Sequence, residues 1–239
     1  MKSGEHAAVN GQKSLGPRDR AILDCVCRYR VITNEMIQKQ FLAGLQMNAV
    51  TKVSSRLADN GWLTRHNYLM GRLYFSAGKK LCTQESLPFS RTRPLGLQSL
   101  AISMATAEVC LLVNDKIRLL SQEDLSRDWN WIPKHHRSMV YASFSQVDMK
   151  PTLFMLRFDL GGTSQHIVSK CFKDWKTRCG TSGFKSLMEH KRFVQIIVTT
   201  SERKKANIAE DLKRKDWPVG TRFEFVLSKE LENILFHAS

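Results

Sequence analysis

Seven consecutive residues, Phe193-Val-Gln-Ile-Ile-Val-Thr199, constrain the fold of this chain more than any other stretch. A strand with one face in water alternates apolar and polar residues, whereas a nearly continuous apolar run belongs to a central strand covered on both faces. Helices on either side are therefore required, and the flanks supply them. Thr163 or Ser164 can cap a helix running to about Thr177, with Ile167, Val168, Cys171, Phe172 and Trp175 inward and His166, Lys170 and Lys173 outward. Ser201 can cap a basic helix over 202–215. Further strand-like runs occupy 117–120, 139–145, 153–160 and 222–226, with 146–151 a hairpin turn and Gly161-Gly162 ending the third of them. Residues 126–137, with Trp129, Trp131 and Pro133, read as irregular, and the very apolar helix over 97–113 reads as buried, in this core or in a dimer seam. The expectation for 97–239 is an α/β domain.

The first third reads differently. Pro17 suits the first turn of a helix whose apolar face is Ala21, Ile22, Cys25 and Val26. Thr33 is a good cap for a second helix, with Glu35 near its positive end. After a turn at 43–46, a third helix over 48–60 carries Val50, Val53 and Leu57 as one thin stripe, and Gly61 stops it. The rest of its surface, Asn48, Thr51, Lys52, Ser55 and Arg56, offers hydrogen-bonding groups and cations without acids that would repel phosphate. Strand-like runs 62–67 and 73–76 then flank a Gly-bearing and Arg-bearing tip. Helix, helix, turn, helix, hairpin is the order of a winged helix-turn-helix, in which the third helix enters a major groove and the wing lies on the phosphate backbone or in a minor groove. The residues expected to contact DNA are Gln46, Asn48, Thr51, Lys52, Ser55 and Arg56, with Arg65, His66 and Arg72 from the wing. Ile22, Val26, Ile37, Phe41, Val50, Val53, Leu57, Trp62 and Leu63 are the expected core.

Charge supports a polyanionic partner. Lys and Arg number 37 against 22 acids, a formal net charge of +15. The excess is densest in residues 1–82, which hold 13 Lys/Arg and 5 acids. Six cysteines are scattered without a Cys-x-x-Cys pair, and Cys171 and Cys179 with His166 or His190 match no common zinc spacing, so reduced, mostly buried thiols are expected. No apolar run reaches the roughly 18 residues of a membrane span. Residues 1–14 are polar, without the apolar stretch of a secretion signal, and read as a tail in a cytoplasmic protein.

Two motifs carry a resemblance. The module from Arg18 to Lys80 precedes Phe154-Met-Leu-Arg-Phe-Asp-Leu-Gly-Gly-Thr163, then Lys170, then Ile196-Ile-Val-Thr-Thr-Ser-Glu-Arg203. In that order and separation they resemble the replication-relaxation family of plasmid and integrative-element proteins. The resemblance implies a second domain of restriction-endonuclease-like fold and a place in conjugative transfer, as a metal-dependent relaxase or as an accessory protein of the relaxosome. The chain departs from the active pattern. Arg157 stands where active relatives place an acid, and the usual Pro-Asp pair is absent, since Pro133 precedes Lys134 and Pro151 precedes Thr152. A metal-dependent nuclease needs converging carboxylates and a lysine near the attacking water, and only Asp148, Asp159 and Lys170 remain as candidates.

The resulting expectation is an α+β chain: a tail over 1–16, a winged helix-turn-helix over 17–82, a linker over 83–96 and a degenerate nuclease-like α/β domain over 97–239. Its expected function is sequence-preferring binding of double-stranded DNA for a mobile element, with Lys170 and Lys173 as secondary basic surface. No cofactor or bound metal is expected, and Mg²⁺ or Mn²⁺ would be needed only by the alternative, a DNA-nicking relaxase. A relaxase or other transfer protein and a second copy of the chain are further candidate partners, a membrane is not, and a protein-docking adaptor is a third reading.

Overall fold

The computed structural model describes residues 15–69, 71–114, 116–144, 150–179 and 181–237. The fold is mixed α+β with a five-stranded mixed sheet. The chain opens with three helices, α1 (Pro17–Tyr29), α2 (Asn34–Phe41) and α3 (Met47–Asp59), followed by an antiparallel hairpin of β1 (Leu63–Leu69) and β2 (Arg72–Ala77). Local chemistry sets these boundaries. Pro17 opens α1, the Thr33 hydroxyl accepts from the Met36 N–H at 3.3 Å at the start of α2, and Gly61 adopts φ +78° just beyond α3. The segment between α1 and α2 also pairs with the hairpin, because Ile32 and Phe75 exchange both backbone hydrogen bonds, at 3.0 and 2.9 Å.

Beyond the hairpin lie α4 (Lys79–Gln84), a 3₁₀ turn over Phe89–Thr92, and α5 (Leu97–Glu108), which runs on as a π-helical turn over Val109–Val113. Part of the stretch read as a linker is thus ordered secondary structure. The sheet follows, with order β3-β4-β5-β6-β7. Its strands are β3 (Ile117–Leu119), β4 (Val140–Phe144), β5 (Thr152–Phe158), β6 (Phe193–Thr199) and β7 (Phe223–Leu227). The first three run antiparallel and the last three parallel. The remaining helices are α6 (Gln122–Asp128), α7 (Ser164–Cys179), α8 (Ser182–Glu189), α9 (Glu202–Lys213) and α10 (Lys229–His237).

Every residue of β6 is buried, as its composition requires. One sheet face, with Ala142, Phe154, Leu156, Val194, Ile196 and Val198, packs on Leu100, Ala101 and Met104 of α5 and on Leu231 and Ile234 of α10. The other face carries Tyr141, Leu153, Met155 and Phe193 against Trp175 of α7, Phe184 and Leu187 of α8 and Leu125 of α6. Helices α7 and α9 cover Ile197 with Ile167, Cys171, Ile208 and Leu212. The helix α5 is buried within the chain itself, between the first three helices and the sheet. The apolar cluster therefore runs without a break from Ile22 through Met104 to Ile234. Among the expected core residues Ile22, Val26, Ile37, Val50, Leu57 and Leu63 are buried, and Phe41, Val53 and Trp62 pack partly buried against them.

Four helices had no counterpart in the sequence reading. Residues 126–137, read as irregular, begin inside α6, which opens on a reciprocal cap: Ser121 accepts from the Asp124 N–H at 3.0 Å, and Asp124 from the Ser121 N–H at 2.9 Å. Helices α4, α8 and α10 are six to nine residues long, too short for apolar periodicity to stand out. The expected hairpin turn at 146–151 falls mostly outside the described residues, and so does Asp148.

Candidate nucleic-acid interface

The exposed side of α3 is built by its buried side. Val50 and Leu57 are fully buried, and Ser54 beside them is too, donating to the Thr51 carbonyl at 3.1 Å. This stripe turns Gln46, Asn48, Thr51 and Lys52 to solvent and leaves Ser55 and Arg56 half-buried. Thr51 accepts from the Asn34 side chain at 3.3 Å, so α2 steadies the same face. Leu45 and Met47, at the entrance to α3, and Leu73 on the hairpin are exposed apolar residues. Sequence reasoning passed over these three, because an isolated apolar residue carries no signal of exposure.

The expected cations differ in how far they are committed. Arg56 donates to both carboxylate oxygens of buried Asp19 at 2.8 and 2.9 Å, which ties α3 to the start of α1. Arg65 donates to Asp59 at 2.8 Å and to the Ser55 carbonyl at 3.1 Å. Arg72 donates to Glu230 of α10 at 2.6 Å, and the Tyr68 hydroxyl donates to the same carboxylate at 2.9 Å. Lys52 has no ionic partner among the described residues. His66 shares a 2.8 Å hydrogen bond with Ser76 and stacks on Tyr74, and burial lowers its pKa, which favours the neutral ring. Nearby, Lys79 and Lys80 are exposed, and Lys80 lies over the Trp62 ring.

The hairpin owes its position to the end of the chain. Buried Glu108 on α5 accepts from the Ser228 hydroxyl and from the Lys229 and Glu230 N–H groups, both at 3.2 Å, and so receives the N-terminus of α10. Burial raises the Glu108 pKa, and these donors only partly offset it. From that anchored helix end Glu230 holds Tyr68 and Arg72.

A second group of expected residues meets at the carboxyl ends of β5 and β6, where ligands bind in open α/β sheets. Asp159 is buried, accepting from the Thr199 hydroxyl at 3.1 Å and the Gly161 N–H at 3.3 Å, with the Lys204 ammonium 3.7 Å away. It lines a cleft of about 240 Å³ with Thr163, His166 and Lys170. Lys173 is exposed on α7. Arg157 is turned away from solvent and paired with Asp174 of α7, and burial lowers its pKa. Among the described residues no group of three His, Cys, Asp or Glu side chains is placed to hold a metal ion. Burial pushes the Cys25 and Cys110 thiols up to about 12 and those of Cys27 and Cys171 to about 11, which keeps them protonated and poorly nucleophilic. No helix among the described residues is long and apolar enough to cross a membrane.

No family model, curated protein or solved structure matches the chain.

Proposed function

We propose that the chain is a sequence-preferring double-stranded DNA-binding protein whose first three helices and hairpin act as a winged helix-turn-helix. The observation that carries this reading is the α3 surface: Asn48, Thr51 and Lys52, with Gln46 just before them, exposed on a helix whose opposite edge, Val50, Ser54 and Leu57, is fully buried. Such a helix can present short polar groups to base edges while its apolar edge stays in the core. Gln46 sits at the entrance for a phosphate or a base edge, Asn48, Thr51, Lys52 and Ser55 read bases, and Arg56, Arg65 and Arg72 shape the surface through their carboxylate partners. The net charge of +15 favours the partner. The second half is proposed to be a nuclease-like domain without cleavage activity, because Arg157 stands where active relatives of the resembled family place an acid. That resemblance also suggests a mobile element as the setting, in transfer, replication or control of its own genes.

The test compares Lys52→Ala and Ser55→Ala with the unaltered chain on a selected duplex and on random duplex. Each substitution should cost roughly 1–3 kcal/mol on the selected site and much less on random DNA. Equal losses on both would remove the base-reading role, and failure to shift any duplex would favour a protein-docking adaptor instead.

A further inference from the structure

A cavity of about 600 Å³ opens at the sheet edge formed by β3, between α6 and α8. It lies at the amino ends of β5 and β6, since Pro151 and Arg192 line it just before those strands. Asp159 follows the carboxyl end of β5, so the two sites are at opposite ends of the strands. Its size is that of a small-molecule site. The lining includes two tryptophans, Trp129 and Trp131, three cations, Lys116, Arg118 and Arg192, and two acids, Asp124 and Asp128.

The indole wall is rigid. A Cβ on Gly183 would collide with the Trp131 ring, so that ring lies directly on the α8 backbone. Phe184 and Trp129 meet it edge-on at 5.0 and 5.9 Å between ring centroids. A wall already held in place loses little freedom when a ligand stacks on it.

The charges around it are unevenly committed. Asp124 and Asp128 also line the cavity, but Asp124 already accepts from Arg28 at 2.6 Å, Arg127 at 3.1 Å and the Ser121 N–H at 2.9 Å. Asp128 accepts from Arg127 at 2.7 Å. Burial alone would disfavour a charged Asp124, yet the Ser121 and Arg28 donors outweigh it and hold the carboxyl below the usual range. By contrast Arg118 comes only within 3.7 Å of Asp124, and its side chain is 59% exposed. Arg192 makes a 3.4 Å contact to the Pro151 carbonyl, and Lys116 has no ionic partner among the described residues. The acids thus have closer partners than the cavity cations, and Lys116, Arg118 and Arg192 keep N–H donors for a ligand.

We propose that this cavity binds one nucleotide unit, with its base against Trp131 and its phosphate on Arg118, Lys116 and Arg192. A neutral sugar would leave three cations unmatched, and an acidic peptide would leave the indole wall unmatched. Stacking on an aromatic ring tolerates every base, so the site recognises the chemistry of base plus phosphate rather than one sequence. Free mononucleotide and a nucleotide of an unpaired strand present that same chemistry. The site is independent of α3, so it stands or falls separately from duplex binding.

The test titrates the full chain with dTMP, AMP and a labelled single-stranded dT12, following tryptophan fluorescence and anisotropy. Saturable binding is expected, weakened at least tenfold by Arg118→Glu, which corresponds to about 1.4 kcal/mol. Arg118 is exposed and Asp124 keeps its Arg28, Arg127 and Ser121 donors, so Arg118→Gln should weaken binding with little change in melting temperature. Lys52→Glu should weaken duplex binding and leave this site intact. Trp131→Leu should also weaken binding; if it fails to fold, Arg118→Glu and Lys116→Glu carry the test. Binding of mononucleotide but not dT12 assigns the site to a free nucleotide, and tight binding of dT12 that Arg118→Glu abolishes assigns it to an unpaired strand. The proposal is overturned if neither probe saturates, if Arg118→Glu changes nothing, or if inorganic phosphate competes as well as dTMP.

Discussion

Glu230→Gln isolates what positions the hairpin. Glutamine keeps the shape and one carbonyl acceptor but removes the charge that holds Arg72 at 2.6 Å and the Tyr68 hydroxyl at 2.9 Å. The Glu230 side chain is 10% exposed, whereas that of Arg72 is 38% exposed and partly screened by water. A hydrogen bond to a charged group contributes roughly 1.5–3 kcal/mol when sheltered. With the Arg72 side discounted for screening, a net loss of about 1–2 kcal/mol follows. For a chain of this size that lowers the melting temperature by roughly 2–8 °C. Circular dichroism melting reads it directly, and a double-mutant cycle with Arg72→Ala should show coupling. Duplex affinity should hold or rise, because the substitution releases a guanidinium towards phosphate. Stability falling while affinity does not is the signature of a tether. A shift in melting temperature smaller than about 1 °C would refute the role of Glu230, since a loss of about 1–2 kcal/mol shifts it further. A parallel loss of affinity would show that the hairpin must be held by α10 in order to bind.

Gly78→Ala tests the junction between α3 and the hairpin, where an added Cβ would meet the Gly61 carbonyl oxygen and the Trp62 carbonyl carbon, at 2.7 Å from the latter. Backbone cannot give way as a side chain can, so a loss of about 1–3 kcal/mol is expected by denaturant unfolding, and a neutral result would contradict this packing. Burial, with Arg178 and His135 close by, lowers the His136 pKa from 6.5 to about 4. A depressed histidine pKa stabilises the folded chain fully above about pH 6.5, and that stability is lost as the pH falls towards 4. His136→Gln should therefore flatten the decline in melting temperature across that interval, and equal slopes would remove His136 from the account. Supercoiled DNA incubated with Mg²⁺ or Mn²⁺ should stay intact, because Asp159 has no second carboxylate converging on it among the described residues and Arg157 on the same strand is paired with Asp174. Nicking that disappears in Asp159→Asn would establish the enzyme instead.

What the chain reveals without a structure is whatever short-range pattern decides. The apolar run of β6 demanded a sheet covered on both faces, and β6 is buried throughout. The hydroxyls of Thr33 and Ser201 cap α2 and α9 because a cap needs only a donor three residues ahead. The acid-poor face of α3 was legible for the same reason, since periodicity along one helix fixes which residues share a side.

Long-range partners were not legible. Arg56, Arg65 and Arg72 look alike in the sequence, yet their carboxylates lie 37, 6 and 158 residues away, and Lys52 alone among the expected cations of α3 and the hairpin has no ionic partner among the described residues. The place of helix α10 was equally hidden, because its N-terminus is received by Glu108, 122 residues before Glu230. The nucleotide-sized cavity draws its walls from β3, α6, β4, α8 and the approaches to two further strands. Local sequence determines which elements form and which face each one buries. Pairing of charges and closure of cavities depend on distances that exist only once those elements have packed, and so the tertiary structure alone decides which arginines are anchors and which cations remain open to a ligand.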